Sequence, residues 1–489
     1  MVGAGPTGLT VACELARRGV AVRVVDGAAG PFPGSRGKGL QPRTLEVLDG
    51  LGVAGRLVST GSFRIPIRRY GPDGTSRVHD IHAGAEPTPD RPYARPLMIP
   101  QWRVEEILRE RLVREGVDVE WSTGVRDLTQ DDEHVVVSTE DGAKVGARWV
   151  VACDGGSSTV RHRLGVPFLG ETHEHVRMLV GDVELEGLDR DHWHLWDTLA
   201  LCPLPATDTF QFQAFGPEEG ADPTLSTFRA IAAEAAGNRV HLRRLTWGST
   251  WRLNVRMVDR YRVGRVFLAG DAAHVHSPAG GQGMNTGIQD ATNLGWKLAH
   301  VLAGADPALL DTYEAERLPI AADVLGLSTR LTTRTFEDRG ADGERALQLG
   351  VTYRGGPLAP SGSGEGPQAG DRAPDAPLRD AGGAPVTLLD LRRGPHWTLL
   401  GFGTHPAQPT GPVRVVGIDA AGGDVGDPGG HAWEAYGAVD GELVLIRPDG
   451  HIGIRGTDAA AIVEYLAAVM PSGHLAEAAF LGSSTRARS

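Results

Sequence analysis

Cysteine is scarce: Cys13, Cys153 and Cys202 are the only three in 489 residues. No two of them form a Cys-x-x-Cys pair, which argues against a dithiol redox centre. Scattered thiols of this kind are expected to be reduced, structural residues of a cytoplasmic protein. No apolar run approaches the roughly eighteen residues a membrane-spanning helix needs, and no signal-peptide pattern is visible. Positive charge is not in excess either. Asp and Glu number 61 against 49 Lys and Arg, for a net charge of −12, which argues against nucleic acid as a main partner. No internal repeat is present. The "HVHSP" segment (274–278) spaces His274 and His276 like a metal pair, but no carboxylate or cysteine stands at matching spacing, so no metal site is expected.

What remains is an ordinary soluble composition, 41% hydrophobic and 22% charged, with length for two or three domains. The chain opens "MVGAGPTGLTVACELARRGVAVRVVD" (1–26). In its Gly3-x-Gly5-x-x-Gly8 loop, Gly3 permits a tight turn out of a strand. Gly5 lets the backbone approach a pyrophosphate, and Gly8 lets the next helix pack close to the sheet. Leu9 to Arg18 read as that helix, with Leu9, Ala12, Leu15 and Ala16 on one face. Gly19 suits its C-terminal end. Ala21 to Val25 then form a buried parallel strand. Asp26 ends it about twenty residues past the glycines, where a carboxylate accepts from ribose hydroxyls. A buried first strand needs about five residues and only Met1 and Val2 precede Gly3. The expectation is therefore a clipped strand or a native start upstream of Met1.

Three further stretches carry the same kind of signal. "GSRGKGLQPRTLEVLDGLGV" (34–53) is a glycine-rich loop with Ser35 and Arg36 that enters a helix near Pro42. "VVACDGGSSTVRHRLGV" (150–166) delivers Asp154-Gly155 from a buried strand into a turn, with Arg161 following on a helix. In "YRVGRVFLAGDAAHVHSPAGGQGMNTGIQDATNLGWKLAHVL" (261–302) a strand from Arg265 to Ala269 ends in Gly270-Asp271. A glycine-rich loop and a helix from Gly283-Met284-Asn285 follow. Asp271 suits a ribityl hydroxyl, and the N–H groups at the helix start suit an electron-rich carbonyl edge. Tyr261, His274 and His276 lie close in sequence to this loop; structural histidines are the commoner case.

Taken in order over residues 1 to about 340, the Gly-x-Gly-x-x-Gly loop, the Asp-Gly segment and "GDAAHVHSPAGGQGMN" resemble the class A flavoprotein monooxygenases of the p-hydroxybenzoate hydroxylase-like fold. Within that family the chain is most similar to the phenol and aromatic-polyketide hydroxylases with a C-terminal thioredoxin-like domain. "GDRAPDAPL" (370–378), "TLLDLRR" (387–393) and "LVLIRPDGHIGIR" (443–455) resemble the start, middle and end of that domain, here without redox cysteines. The resemblance implies an α/β fold: a Rossmann-like FAD-binding domain, an inserted β-sheet substrate domain and the thioredoxin-like domain. The boundaries follow as 1–165 for the first FAD part, with 63–100 on the substrate side, and 166–256 for the substrate sheet. The second FAD part and long helices take 257–350. A Gly/Pro-rich linker is expected at 351–368, the third domain at 369–482 and a tail at 483–489.

The resemblance also assigns roles. Gly5, Pro6 and Thr7 would meet the pyrophosphate and Asp26 the adenosine ribose. Ser35 and Arg36 would flank the pyrophosphate and the flavin's path. Gln101 would contact the ribityl chain and Val125 the adenine. Asp154, Gly270 and Asp271 would lie near ribose, ribityl and phosphate. Pro278, Gly281, Gly283, Met284 and Asn285 would line the isoalloxazine. Arg36 and Pro278 are the candidates for flavin gating, and no acid–base residue stands out. NADPH or NADH would act as a transient reductant, since no second Gly-x-Gly-x-x-Gly unit is present. The implied reaction is hydroxylation of an electron-rich aromatic carbon by a flavin C4a-hydroperoxide, with O2 as co-substrate. Trp193, Phe210 and Phe212 are expected in a broad apolar pocket for a bulky aromatic compound, although aromatics at such spacing are more often sheet core. Epoxidation, Baeyer–Villiger-type oxygenation, antibiotic inactivation and a non-catalytic flavin-binding role are the alternatives. The Trp-x-Trp-x-Ile signature of a flavin halogenase is absent. Monomer and homodimer both fit.

Overall fold

The Gly3-x-Gly5-x-x-Gly8 segment leaves the middle of a parallel sheet. In the computed structural model, which describes residues 1–216, 221–332, 340–362, 364–409 and 411–471, Val24–Val25 pairs in parallel with Val119–Glu120. Val150–Ala152 pairs in parallel with Val266–Leu268. Met1 to Gly3 run between these two pairs. Val2 N–H donates to Val151 (3.0 Å), Gly3 N–H to Val25 (2.8 Å), and Cys153 N–H to the Val2 carbonyl (2.7 Å). The short strand is thus bonded on both edges. Val2, Val24, Val151 and Phe267 are all buried, as strands of a covered parallel sheet must be.

The helix that follows is Pro6–Ala16, with Gly5 at its N-cap. It starts earlier and ends sooner than the apolar spacing predicts, because proline is well placed in a first turn. A Cβ on Gly3 (φ +98°) would stand 2.3 Å from the Cys153 carbonyl oxygen, and one on Gly8 would stand 2.0 Å from that of Gly3. Both positions therefore require glycine. The Gly283–Leu302 helix crosses this first helix just as closely. Cβ atoms on Gly287 and Gly295, about two turns apart, would meet Thr7 Oγ1 at 2.3 Å and Glu14 Cβ at 2.5 Å.

The second layer of this unit is an eight-stranded sheet. From one edge its strands are His274–Val275, His241–Val258, Phe168–Glu186, Phe210–Phe215, Leu199–Pro203, Trp193–Leu195, Ile67–Tyr70 and Ser76–His79. Two strands thus come from the 63–100 segment. His274–Val275, directly after Asp271, pairs Met257 with His274 and Arg256 with Val275, so the Gly-Asp loop runs straight into this sheet. The Leu225–Ala236 helix covers the far face, where Phe210, Phe212, Phe228, Leu199, Leu201 and Trp196 form one apolar cluster.

The chain divides into two compact units: Met1–Gly295 with Tyr313–Val351, and Trp296–Thr312 with Thr352–Ser489. The expected second FAD part, 257–350, is accordingly split. Residues 296–312 fall in the C-terminal unit because Trp296, Ala305 and Leu309 pack with Trp397, Leu399, Leu445 and Leu466. The expected linker is also corrected. Its described residues pack: Leu358 joins the same cluster, Tyr465 Oη donates to the Leu358 carbonyl (3.0 Å), and Tyr353 N–H donates to Gly370 (2.8 Å). The seven-stranded sheet of this unit is buried on both faces. Leu400, Phe402, Val416 and Val444 face a cluster with Leu388 and Tyr436, while Trp397, Leu399, Val413 and Leu445 face one with Ile462 and Leu466. The expected tail 483–489 and residues 472–482 of the third domain lie outside the described residues. Among the described residues no helix is long and apolar enough to cross a membrane.

Gly8→Ala forces helix and strand apart. We expect a loss of about 1–3 kcal/mol, typical of overpacking, seen as a lower melting temperature together with reduced flavin content. An unchanged melt and flavin-to-protein absorbance ratio would show that the contact yields freely.

Candidate active site

The open space lies where the glycine loop predicts it. A Cβ on Gly5 would meet nothing within 4 Å, so the N-terminus of the Pro6–Ala16 helix faces a free cradle with its N–H groups, the arrangement that receives phosphate. Pro6 and Thr7 are half-buried there. Thr7 departs from its expected role in one respect: its side chain is packed against Gly270 and Gly287, which leaves the backbone N–H for the cradle. Asp26 holds the loop's shape, accepting from Ala4 N–H (2.7 Å) and Ala28 N–H (2.8 Å). Thr123 N–H donates to the Asp26 carbonyl (2.8 Å), which brings Val125, at the start of the Val125–Gln130 strand, to the same end of the cradle.

Asp154 is used within the chain. It accepts from Ser158 Oγ (2.5 Å) and Val160 N–H (3.1 Å) and so caps the short Thr159–Arg163 helix. Arg161 is buried and donates to the carbonyls of Ala272 (3.0 Å) and Gly156 (2.8 Å), tying the Asp-Gly turn to the Gly270-Asp271 loop. Asp271 itself is exposed at the opening, yet it is crowded by protein atoms. Crowding raises its carboxyl above the ordinary value, against the attraction of His274 and Arg36.

Behind the opening is a buried ionic cluster that the sequence did not announce. Asp290, on the Gly283–Leu302 helix, accepts from Gly270 N–H (3.1 Å), His274 Nε2 (2.7 Å) and Arg317 Nε (2.7 Å). Burial would push its carboxyl up, but Arg317 and His274 hold it below the usual carboxylate range. His274 is therefore a structural partner. His276 differs. Its Nδ1 donates to the Ser277 carbonyl (2.8 Å), and its buried Nε2 has no hydrogen-bond partner among the described residues, lying 3.7 Å from where a Cβ of Gly283 would be. Burial lowers its pKa to about 4, so the ring is neutral near pH 7.

The side of the cleft at the start of the Gly283–Leu302 helix is stitched together by amides. Asn285 Oδ1 accepts from Gln41 N–H (2.7 Å), and its Nδ2 donates to Gly39 (3.1 Å) and Gly281 (2.7 Å). Gln101 Oε1 accepts from Gly37 N–H (2.9 Å) and its Nε2 donates to Glu105 (2.9 Å). A Cβ on Gly37 would be 3.3 Å from Gln101 Oε1 and 3.5 Å from Met284 Cε. The 34–41 loop, Gln101 and the start of the Gly283–Leu302 helix therefore meet at one place. Pro278 and Gly281 are exposed there, and Gly283 and Met284 half-buried. Arg36 is exposed, its guanidinium 4.8 Å from the centre of the Phe32 ring. Among the described residues no group of three His, Cys, Asp or Glu side chains could hold a metal ion.

On the substrate sheet the aromatic expectation is corrected. Phe210 and Phe212 point away from the loop into the core under the Leu225–Ala236 helix, with Phe212 4.6 Å from Phe228 between ring centres. Side chains alternate along a strand, so the intervening Gln211 faces the loop, where its Nε2 donates to the Ser35 carbonyl. Trp193 also lies on the loop side, its ring centre 4.1 Å from Lys38 Nζ.

An open cradle at a helix start, an acid at the end of the second strand and a second helix start across the gap fit an FAD molecule laid from Asp26 to Met284. Asp290→Asn weakens the bonds to Arg317 and His274 and removes the buried negative charge that faces the Arg317 guanidinium. A loss of about 3–5 kcal/mol is expected, with flavin released during purification; a variant that melts like the parent and stays yellow would remove Asp290 from this role.

Comparison with known proteins agrees with this geometry. Residues 1–328 match the family model described as FAD binding domain, and residues 366–472 the one described as aromatic-ring hydroxylase, C-terminal. The chain is 44% identical to a flavin-dependent monooxygenase of Mycobacteroides abscessus, over 96% of this chain and 99% of the other. It is 34% identical to 12-dehydrotetracycline 5-monooxygenase/anhydrotetracycline 6-monooxygenase of Streptomyces rimosus, over 92% and 94%. A solved structure of aklavinone-11 hydroxylase with FAD and aklavinone aligns with a TM-score of 0.81 at 28% identity, covering 96% of this chain and 98% of that one. The chain belongs to the FAD-dependent aromatic-ring hydroxylases and is a flavin-dependent monooxygenase.

Proposed function

We propose that this enzyme uses NADPH or NADH and O2 to hydroxylate a bulky, polycyclic phenolic compound. The observation that carries the reading is the junction of the FAD cradle with the inner face of an eight-stranded sheet through the 34–41 loop. An aromatic substrate between them would be held against the flavin edge lined by Gly283, Met284 and Pro278. The names of the tetracycline and aklavinone relatives favour a multi-ring substrate.

FAD, once reduced by the nicotinamide, supplies activated oxygen for transfer to an electron-rich carbon. The residues supply the surroundings. Asp26 and the N–H groups of the first helix fix the nucleotide end. The N-terminus of the Gly283–Leu302 helix is positive and favours an electron-rich carbonyl edge beside it. Gln101, Gly37 and Asn285 hold the loop that closes the site against water, which would divert the oxygen to peroxide. Arg36, exposed at the rim, and Pro278 are where gating between an accessible and a closed flavin position would act.

The purified protein should show flavin absorbance and oxidise NADPH faster with one or more polycyclic phenols, giving a product heavier by one oxygen atom on a ring carbon. An oxygen inserted into a carbon–carbon bond would instead mark Baeyer–Villiger-type chemistry. Nicotinamide oxidation that no compound stimulates would count against a substrate of this class.

A further inference from the structure

Across the inner face of the substrate sheet runs one row of side chains. Trp247 pairs with Asp182, Asp182 with Gln211, and Gln211 with Cys202; directly opposed residues share a face. The 34–38 segment lies along this row. A Cβ on Gly34 would be 2.2 Å from the Trp247 ring, and the Ser35 carbonyl accepts from Gln211. Lys38 Nζ donates to Gln211 Oε1 (2.6 Å) over the Trp193 ring.

Lys38 is conspicuous there. An ammonium has three protons to give. One goes to Gln211, the indole face of Trp193 lies beside it, and among the described residues no carboxylate comes within ion-pairing distance. The charged groups facing it are Asp182, whose carboxyl burial pushes up to about 6, and Cys202, whose buried thiol is pushed up to about 11 and stays neutral. Burial lowers Lys38 itself to about 8. Ser35 and Asp182 are both buried on the row, and hydrogen bonds from Ser35 hold the Asp182 carboxyl down against the effect of burial. A half-buried cation with protons to spare, on the sheet face along which the 34–38 segment lies, is placed to donate to an anion.

We propose that Lys38 is the substrate-binding residue that selects the ionised form of the phenol, its ammonium donating to the phenolate oxygen. The inference rests on the proposed function, since it names the form in which that substrate is bound. The proton is left in water before binding, so the site takes up the anion and no group on the chain is required as its base. A phenolate is also the form whose ring carbon is most electron-rich, which is what oxygen transfer needs.

The test is a titration of the FAD-loaded protein with alizarin, a dihydroxyanthraquinone whose ionised form absorbs at longer wavelength than the neutral dye. The wild type should bind the long-wavelength form at a pH where the free dye is partly neutral. Its affinity should fall about tenfold per pH unit above about 8, as Lys38 loses its proton. Lys38→Arg should keep the affinity and lose that inflection, because the guanidinium stays charged. Lys38→Met should bind the dye roughly tenfold or more weakly, as loss of a charge-assisted bond implies, and in its neutral colour. Equal affinity and spectrum for wild type and Lys38→Met, with no inflection near pH 8, would overturn the role of Lys38 and leave the proposed function standing. A yellow wild-type protein that binds no dye would overturn both. If Lys38→Met fails to retain FAD, the wild-type and Lys38→Arg pH profiles decide the question.

Discussion

The buried Asp290 carboxylate is the constraint on which the site depends. It lies in the middle of one helix and reaches three separate pieces of chain: the Gly270 amide, the His274 ring and the Arg317 guanidinium. Its charge balances the buried Arg317 guanidinium beside it. With it, the end of the Val266–Leu268 strand, the start of the His274–Val275 strand and the Gly283–Leu302 helix are locked in one arrangement. That arrangement fixes where Asp271 opens to solvent and where the helix N-terminus points.

The second constraint is the close crossing of two helices. Glycine at 287 and 295 lets the Gly283–Leu302 helix lie against Pro6–Ala16, with Thr7 and Glu14 filling the gaps. Two helix starts, at Pro6 and at Gly283, are thereby placed on the same cleft. The 34–41 loop closes the third side through Asn285, Gln41 and Gln101, and the fourth through Gln211. Amide side chains do most of this work. They satisfy loop carbonyls and N–H groups that have no ladder to join.

Much of this was legible in sequence. The glycine spacing, Asp26, the Gly270-Asp271 turn and the helix start at Gly283 are set by local rules of turn and dipole, and local rules can be read along a chain. What could not be read depends on long-range contact. Nothing near Asp290 in sequence names Arg317 as its partner. The amides of Asn285 and Gln101 look like spare polar residues until the loop they hold is seen. "FQFQAF" was legible as a strand, but which face turns to the loop depends on the helix that covers the other. That helix takes the phenylalanines and leaves the glutamines inward. Asp154 was read for a nucleotide role; its bonds to Ser158 and Val160 show the capping use that a strand–turn–helix equally predicts.

The C-terminal unit is assembled from two stretches separated in the chain, Trp296–Thr312 and the segment from Thr352 onward. During synthesis, Trp296, Ala305 and Leu309 emerge well before the strands at Trp397, Val413 and Leu443 that bury them. Until those strands arrive, the apolar side chains of this stretch lack the partners that bury them. A ribosome stalled near residue 350 would therefore carry Trp296, Ala305 and Leu309 without the strands that bury them, an open hydrophobic patch suited to capture by a chaperone.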